Sequence, residues 1–487
     1  MRYEHFDVVV VGCGIAGLSA AVAARQKGVR VAILERAPLE ERGGQTRYTE
    51  AYLRMKSESE VTDDFEAHFM ENAGGYLDPL LVDETAAPYE IWPGLVKTMS
   101  FVDPEFLSAF ATGAGPTVQW LKTFGLRFDF LPTQFLTKSQ PRLLPVGGGL
   151  ALVEALAGWA EKNDVQFFYE TVAQDLIVDS EGDVVGIRAR GPGGKPVEFV
   201  GRGVVLGCGG FAGNLEMLSQ YMGNRAMFLR PICRGGHYNK GEGIRMALAI
   251  GAASCGDFSS YHAEPIDPRS GIAEPSVFIF PYGVLVNRRG MRFVDEAMGT
   301  VDAYYERVTR RIFEQPDGIA YTILDAKLAD VPNYKLGIRT DKPAIVADTL
   351  HALAAKLEIP AARLESTIAQ YNAACRPGTF KPLELDGLAT EGLEPAKSNW
   401  ARPIDRAPFA AYPTISANVF TFGGLKVNAQ AQVLHSSGHP IQGLYAAGEV
   451  IGLYYKNYTG ATSVLKGAVF GRIAGLDAAS RCAQAAA

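Results

Sequence analysis

The sequence predicts an α/β fold, in which a Rossmann-like dinucleotide-binding domain carries an inserted α+β capping domain. Three observations support this prediction. The β-branched run FDVVVV at 6–11 leads into the glycine motif GCGIAG at 12–17 and then into an alanine-rich helical pattern. A second apolar run, VRVAILE at 29–35, completes a βαβ unit. From 261 to 409 the pattern changes to short strands mixed with helices, which indicates a second domain.

The elements that follow the βαβ unit divide between these two domains. Residues 1–260 and 410–487 are predicted to form a discontinuous dinucleotide-binding domain, and residues 261–409 the capping domain. Within the first domain, VQFFYETVAQDLIVDSEGDVVGIRA at 165–189 alternates like antiparallel strands with a DSEGD turn. A helix rich in small residues, at roughly 460–483, closes the chain.

Composition and charge exclude several kinds of partner. The chain has 487 residues and a net charge of −6, which argues against nucleic acid or an anionic membrane as a partner. Its six cysteines form no C-x-x-C pair, so we expect no metal and no haem. The N-terminus lacks the apolar run of a signal peptide, and no stretch reaches the ~18–20 apolar residues of a membrane span. We therefore expect a cytoplasmic protein.

The first glycine motif predicts a site for the pyrophosphate of a dinucleotide. Gly12, Gly14 and Gly17 would let the backbone approach the phosphates at a helix N-terminus, where free N–H groups favour negative charge. Glu35 follows Gly17 by 18 residues and ends the next strand, where a carboxylate would bind the adenosine ribose. FAD and NAD share this pattern, so later motifs must distinguish them.

Three later glycine motifs favour FAD. They are GGQT at 43–46, VVLGCGGF at 204–211 and GLYAAGE at 443–449, and no second Gly-x-Gly-x-x-Gly is present for a nicotinamide. The residues expected to hold the cofactor are Gly12, Gly14, Ile15, Ala16, Gly17, Glu35, Arg36, Gly43, Gly44, Gln45, Thr46, Val172, Gly209, Gly210, Gly448, Glu449, Ser463 and Val464.

Together these motifs resemble the succinate dehydrogenase/fumarate reductase flavoprotein superfamily over essentially the whole chain. Within it, GGQTRYT, YHAEP, VNRRGMRFVDEA, FTFGGLKVN and YYKNYTGATSVLKGAVFGRIAG are most similar to the tricarballylate dehydrogenase-type branch. The resemblance implies hydride transfer between the carbon β to a carbonyl and flavin N5, with a proton moving at the α carbon. In relatives with covalent flavin a histidine precedes the second glycine cluster. Residues 36–67 contain none, so we expect non-covalent FAD.

The resemblance also argues against fumarate as the substrate. Where fumarate reductases have a catalytic arginine, this chain has Thr300; where they have a carboxylate-binding histidine, it has Phe420. In the C-terminal motif Tyr458 replaces a substrate-binding arginine. These substitutions remove the fumarate site and leave a site suited to desaturation next to a carbonyl.

Candidate catalytic residues follow from the same resemblance. Tyr458 corresponds to the tyrosine with which ketosteroid dehydrogenases bind the substrate ketone, and Thr462, where those enzymes have a glycine, would offer a backbone N–H. Tyr304 and Tyr305 are candidate bases, of which at most one faces the flavin because adjacent helical residues point in different directions. His262 matches a histidine that contacts substrate in the superfamily.

Other cationic residues near these motifs leave alternatives open. Arg47, Arg142 and Arg234 could bind a substrate carboxylate or a phosphate. Lys466 could face either way in the last helix, and His237 lies in a glycine-rich turn.

The favoured function is a FAD-dependent dehydrogenase that forms a C=C bond α,β to the carbonyl of a small cyclic ketone, of the cyclohexanone, 4-oxocyclohexanecarboxylate or ketosteroid type. The expected partners are this carbonyl substrate and an electron acceptor that the sequence does not identify. The alternatives are a tricarballylate-type polycarboxylate dehydrogenase, an enoate reductase working in the opposite direction, and a flavin-carrying electron-transfer subunit that needs a partner protein.

Overall fold

A computed structural model of the protein describes residues 2–74, 79–130 and 142–484. Its strands are β1 (Arg2–His5), β2 (Val8–Val11), β3 (Val31–Leu34), β4 (Phe128–Phe130), β5 (Leu143–Pro145), β6 (Gln166–Phe168), β7 (Val172–Val178), β8 (Val184–Arg190), β9 (Pro196–Val200), β10 (Gly203–Leu206), β11 (Arg230–Pro231), β12 (Ser254–Cys255), β13 (Tyr261–Ile266), β14 (Val284–Asn287), β15 (Ile319–Leu324), β16 (Ile345–Ala347), β17 (Phe409–Thr421), β18 (Gly424–Leu425), β19 (Gln432–Leu434) and β20 (Pro440–Ala446). Its helices are α1 (Ile15–Gln26), α2 (Phe65–Ala73), α3 (Val82–Ala86), α4 (Gly94–Lys97), α5 (Pro104–Lys122), α6 (Gly148–Lys162), α7 (Leu215–Met222), α8 (Glu242–Ala249), α9 (Val301–Phe313), α10 (Leu350–Leu357), α11 (Ala361–Ala374) and α12 (Ser463–Gln484).

The predicted βαβ unit is confirmed as β2–α1–β3 at the centre of a six-stranded sheet. The strand order is β19-β20-β10-β2-β3-β6, and only the edge pair β19–β20 is antiparallel. All four valines of β2 are buried, as expected for a strand covered on both faces. The carboxyl ends of β2, β3 and β10 therefore meet at one edge of the sheet.

A separate four-stranded sheet packs beside this core in the order β1-β9-β8-β7. β7 and β8 pair antiparallel, with Val178 opposite Val184. The DSEGD segment connects them, so the turn predicted from the sequence is confirmed.

The third large sheet is built around the long strand β17. It has the order β11-β17-β15-β14, and β13 and β16 also pair with β17. Apolar side chains on its two faces pack against α9, α10 and α11. The pairing of β13 with β17 sets His262 opposite Phe420.

The C-terminal helix α12 packs closely on α1. A Cβ at Gly471 would overlap the carbonyl oxygen of Ala16, and one at Gly475 would overlap that of Ala20. The small residues of α12 thus bring the N-termini of both helices to the same edge of the six-stranded sheet. Across the described residues, no helix combines the length and apolar character that crossing a membrane requires.

Candidate active site

A cleft opens at the carboxyl ends of β2, β3 and β10, with about 1280 Å³ of empty space when its solvent-open part is included. All of the residues predicted to hold the cofactor line it except Gly17, Gly43 and Gly210.

The glycine motif shapes the floor of the cleft. Gly12 has φ +101°, and a Cβ there would lie 2.5 Å from the carbonyl oxygen of Gly207. A Cβ at Gly17 would overlap the carbonyl oxygen of Gly12. These glycines therefore let β2, β10 and α1 approach one another, which leaves the first N–H groups of α1 facing the cleft. The Ile15 N–H donates to Thr46 Oγ1 at 3.1 Å.

Glu35 lies at the end of β3, where the sequence places a ribose-binding carboxylate. Its Oε2 accepts the Cys13 N–H at 2.8 Å, and its Oε1 accepts the Ala37 N–H at 2.7 Å. Desolvation on burial raises the pKa of this carboxyl, although both backbone hydrogen bonds favour the ionised form. Glu35 is thereby held rigidly against the cleft.

Glu449 is the buried carboxylate at the opposite side of the cleft. It accepts hydrogen bonds from Gln45 Nε2 at 3.0 Å, Asn239 Nδ2 at 2.8 Å and the Thr421 N–H at 2.9 Å. Gln45 Oε1 is buried and has no hydrogen-bond partner among the residues that the structure describes. This orphaned acceptor lines the cleft and suits a donor group on a bound cofactor.

Lys466 faces the cleft from the first turn of α12. Its Nζ donates to the Ile451 carbonyl at 3.0 Å and lies 4.8 Å from the centre of the Tyr454 ring. Burial lowers the pKa of Lys466 to about 7. The sequence did not predict which way Lys466 faces, and in the structure its side chain lines the cleft.

Beside the cleft, an aromatic cluster joins the β13–β17 pair to the loop before α12. The ring centres of His262 and Tyr458 are 4.4 Å apart, and those of Phe420 and Tyr458 are 5.0 Å apart. Tyr305, from α9, places its hydroxyl 2.7 Å from His262 Nε2. The structure therefore brings together three of the predicted catalytic side chains: His262, Tyr305 and Tyr458.

The Tyr458 hydroxyl lies at the N-terminus of α12. Its oxygen accepts the backbone N–H groups of Thr462 at 3.0 Å and Ser463 at 3.1 Å, and it donates to Ser463 Oγ at 3.1 Å. The Thr462 hydroxyl turns away and donates to the Thr459 carbonyl. The backbone N–H of Thr462 is directed toward the Tyr458 hydroxyl.

His262 is a neutral imidazole in this environment. Burial lowers its pKa to about 3, with a further contribution from the charge of Arg310. Its Nδ1 is buried and has no hydrogen-bond partner among the described residues. Desolvation and the nearby Glu264 carboxyl raise the pKa of Tyr305 well above its usual value, so this phenol is protonated at neutral pH.

Tyr304 and Tyr305 point in different directions. Tyr304 packs against Gly299, and the guanidinium of Arg307 lies 5.4 Å from the centre of its ring. Of these two tyrosines, only Tyr305 contacts His262 among the described residues. The prediction that at most one of the two tyrosines faces the site agrees with this geometry.

Several other sequence candidates lie away from the aromatic cluster. Arg47 pairs with Glu154, while Arg234 pairs with Glu41 and is exposed. His237 is also exposed. These three residues do not form part of the reacting end of the site.

Sequence reasoning missed Arg54, Glu264 and Glu306, which surround this end of the site. Glu306 Oε2 accepts the Tyr458 N–H at 3.2 Å, and Arg54 donates its backbone N–H to the Ala461 carbonyl at 2.7 Å. Glu264 lies within YHAEP, but nothing in that motif singled it out, and neither Arg54 nor Glu306 stands in a motif that marks it. For Glu306, the only available signal was its position directly after Tyr305 in the sequence.

Comparison with known proteins identifies the family. A family model described as FAD binding domain matches residues 7–465. The chain belongs to this family. Its FAD-binding relatives include the NADH:acrylate oxidoreductase of Vibrio harveyi, 28% identical over 98% of this chain but only 50% of that protein. The 3-oxosteroid 1-dehydrogenase of Mycolicibacterium smegmatis is 25% identical over 99% of both chains. The chain thus spans half the length of the first of these relatives.

Solved structures agree with this assignment. A 3-ketosteroid-Δ4-(5α)-dehydrogenase from Rhodococcus jostii RHA1 is 28% identical, with a TM-score of 0.66 over 98% of this chain and 97% of that one. A flavocytochrome c3 fumarate reductase has a TM-score of 0.75 at 24% identity, over 98% of this chain and 79% of that one. The resemblance to the succinate dehydrogenase/fumarate reductase flavoprotein superfamily is confirmed.

The FAD-binding family assignment decides the cofactor and the reaction class. FAD is the cofactor, and nothing in these matches indicates covalent attachment. The glycine floor, the Glu35 carboxylate and the orphaned Gln45 Oε1 fit it. The protein is a FAD-dependent oxidoreductase of a family whose members reduce or form carbon–carbon double bonds.

Proposed function

We propose that this enzyme is a dehydrogenase that introduces a C=C bond α,β to the carbonyl of a small cyclic ketone. The observation that supports this most strongly is the Tyr458 hydroxyl, which shares the N-terminus of α12 with the Thr462 N–H at 3.0 Å. The His262–Tyr305 pair lies directly against it. The relatives named as steroid dehydrogenases act next to a ketone, which supports the same choice.

The Tyr458 hydroxyl and the Thr462 N–H would bind the substrate carbonyl oxygen. An α C–H becomes acidic enough to lose its proton only when the charge developing on that oxygen is stabilised by preorganised donors. The N-terminus of the 22-residue helix α12 adds a favourable dipole at the same place. Tyr458 would redirect its proton from Ser463 Oγ to the substrate.

Tyr305 would accept the α-proton while its own proton moves to His262 Nε2. The two atoms are 2.7 Å apart, and the imidazole is neutral, so the lone pair of its Nε2 can receive this proton. The imidazolium formed is strongly acidic, because the pKa of His262 is about 3, and it would hold the proton only during the transfer. FAD, when bound, supplies the hydride acceptor at N5. The residues of this chain would therefore provide both the carbonyl donors and the proton acceptor.

We also propose that residues 261–409 act as a cap over the cofactor. His262 and Tyr305 come from this segment, whereas Tyr458 and Thr462 come from the C-terminal part of the FAD-binding half. The site is then complete only when both parts close on the substrate, which would exclude water during the transfer.

The test is anaerobic mixing of the FAD-loaded enzyme with two panels of compounds. Cyclohexanone, 4-oxocyclohexanecarboxylate and a 3-ketosteroid form the first panel, and tricarballylate and succinate the second. Bleaching of the oxidised flavin band by a ketone is expected. Bleaching by tricarballylate alone would overturn the ketone proposal. Reoxidation of chemically reduced enzyme by enones, without bleaching by any ketone, would assign the reductase direction.

Once a ketone bleaches the flavin, Tyr458→Phe tests the carbonyl donor. The variant should bind FAD normally, because Tyr458 does not line the FAD cleft. Its rate of flavin reduction should fall by about 10²–10³, the cost of one lost oxyanion donor. Stopped-flow absorbance of the flavin measures this rate, and a rate equal to that of the parent enzyme would remove Tyr458 from the mechanism.

A further inference from the structure

We propose that the substrate carries a carboxylate, which binds between the guanidinium groups of Arg54 and Arg142. This inference rests on the proposed function for the position of the reacting carbonyl, and it narrows the substrate from a ketone to an oxo-acid. The arginines involved occupy neither of the positions, 300 and 458, at which the resemblance to fumarate reductases would place one.

Arg142 has no partner for its charge in the described part of the chain. Its guanidinium makes no hydrogen bond and no ion pair there, and its Nε is buried without an acceptor. The segment 131–141 that precedes it contains no aspartate or glutamate. A partly buried guanidinium without a counter-charge is unfavourable, and an anionic ligand would supply the missing charge and acceptors.

Arg54 lies opposite Arg142 on a facing segment. Leu53 and Leu143 form an antiparallel bridge in which each N–H donates to the carbonyl of the other, at 2.7 and 3.1 Å. Arg54 and Arg142 are the next residues of the two segments and therefore face each other. Like charges in directly opposite positions are destabilising. The two arginines are close enough for the charge of Arg142 to lower the pKa of Arg54.

The other charges around this pair are already matched. Arg54 Nη2 binds Asp64 at 2.7 Å, and Arg310 binds Glu306 at 2.9 Å. Glu264 accepts a hydrogen bond from Ser276, and burial raises its pKa. Arg54 Nε, like the Nε of Arg142, is buried without a hydrogen-bond partner. Among the described residues, both arginines therefore keep guanidinium donors without a partner, and Arg142 has no counter-charge.

The pair lies at the reacting end of the site. A Cβ on Gly460 would lie 3.4 Å from Arg142 Nη2, and Gly460 is two residues from both Tyr458 and Thr462. Arg54 donates its backbone N–H to Ala461, and its pKa is influenced by Tyr458. A small oxo-acid would therefore have its ketone at Tyr458 and its carboxylate at the arginines. Arginine is the residue best suited to bind a carboxylate by two parallel hydrogen bonds.

The experiment compares an acid with its neutral ester. The FAD-loaded enzyme is titrated with 4-oxocyclohexanecarboxylate and with its methyl ester, and Kd is taken from the change in the bound-flavin spectrum. The parent enzyme should prefer the acid. Arg142→Met should lower the ratio of the two affinities at least about tenfold, because a charged hydrogen-bond donor is lost. Arg142→Lys should retain part of this preference.

Arg127→Met is the matched control. Arg127 is exposed and directly precedes β4, as Arg142 directly precedes the paired strand β5. This variant should keep the parent preference for the acid. A parent enzyme that binds the ester as tightly as the acid, or an Arg142→Met variant with an unchanged ratio, would overturn the inference.

Failure of this inference and failure of the proposed function give different results. If the ketone proposal is wrong, the acid perturbs the flavin spectrum without bleaching it, and the acid-to-ester ratio still depends on Arg142. If the carboxylate site is wrong, cyclohexanone and the ester bleach the flavin while the ratio is the same in every variant.

Discussion

The nucleotide end and the reacting end of the site are built in different ways. At the nucleotide end, glycines and backbone N–H groups form the surface, and the side chain of Glu35 is fixed by two backbone donors. At the reacting end the surface consists of side chains from three separate parts of the chain, such as Arg54, Tyr305 and Tyr458.

This difference separates the part that binds the cofactor from the part that chooses the substrate. A backbone-lined cleft recognises a ligand common to the whole family, and substitutions there act through the packing of the main chain. In a side-chain cluster, residues can be substituted one at a time. Phe420 and Tyr458 illustrate this, because the sequence resemblance implies that fumarate reductases have ionisable groups at these two positions.

The largest expected effect is at the nucleotide end, with Gly17→Ala. The added Cβ would overlap the carbonyl oxygen of Gly12, so α1 must move away from β2. We expect a stability loss of about 1–3 kcal/mol and a protein that retains no FAD after gel filtration. The ratio of flavin to protein absorbance measures this. A variant that retains full flavin would show that the glycine floor is not required.

The nucleotide end of the site could be predicted from the sequence better than the reacting end. The βαβ unit was predictable, and 15 of the 18 residues predicted to hold the cofactor line the cleft, because contiguous glycines and a following acid encode them locally. His262 and Tyr458 could be found only by resemblance to relatives. Arg54 could not be found at all, because its role depends on the bridge between Leu53 and Leu143, which no local spacing encodes.

A smaller effect is expected at the reacting end, where two adjacent tyrosines provide a matched pair. Tyr305→Phe removes the hydroxyl that contacts His262, so the rate of flavin reduction by ketone should fall by about 10²–10⁴. Tyr304→Phe changes a ring that packs against Gly299 and should keep the parent rate. Anaerobic stopped-flow measurements compare the two. Equal rates in both variants would contradict the assignment of Tyr305 as proton acceptor.

His262 links the reacting end to acid stability. Its pKa is about 3 in the folded protein, against an ordinary value of 6.5, so unfolding takes up a proton between these pH values. The stabilisation is complete above pH 6.5 and is lost as the pH falls toward 3. His262→Gln should therefore reduce the slope of unfolding free energy against pH by about 1.4 kcal/mol per pH unit in this window.

Urea unfolding at several pH values, with the same FAD concentration throughout, measures this slope. His351→Gln, which removes an exposed histidine, is the control. Identical slopes for the parent and His262→Gln would show that the imidazole can be protonated in the folded state.

The smallest expected effect comes from substituting a glycine that the cleft does not require. Gly158 lies within α6, and a Cβ built there meets no atom within 4 Å. Gly158→Ala should therefore stabilise the FAD-loaded enzyme by up to ~1 kcal/mol, because alanine restricts the unfolded chain and favours the helix. Thermal unfolding measures the gain. A destabilised variant would mean that α6 must stay close to another surface when FAD is bound, and the nucleotide end would then depend on more than its glycine floor.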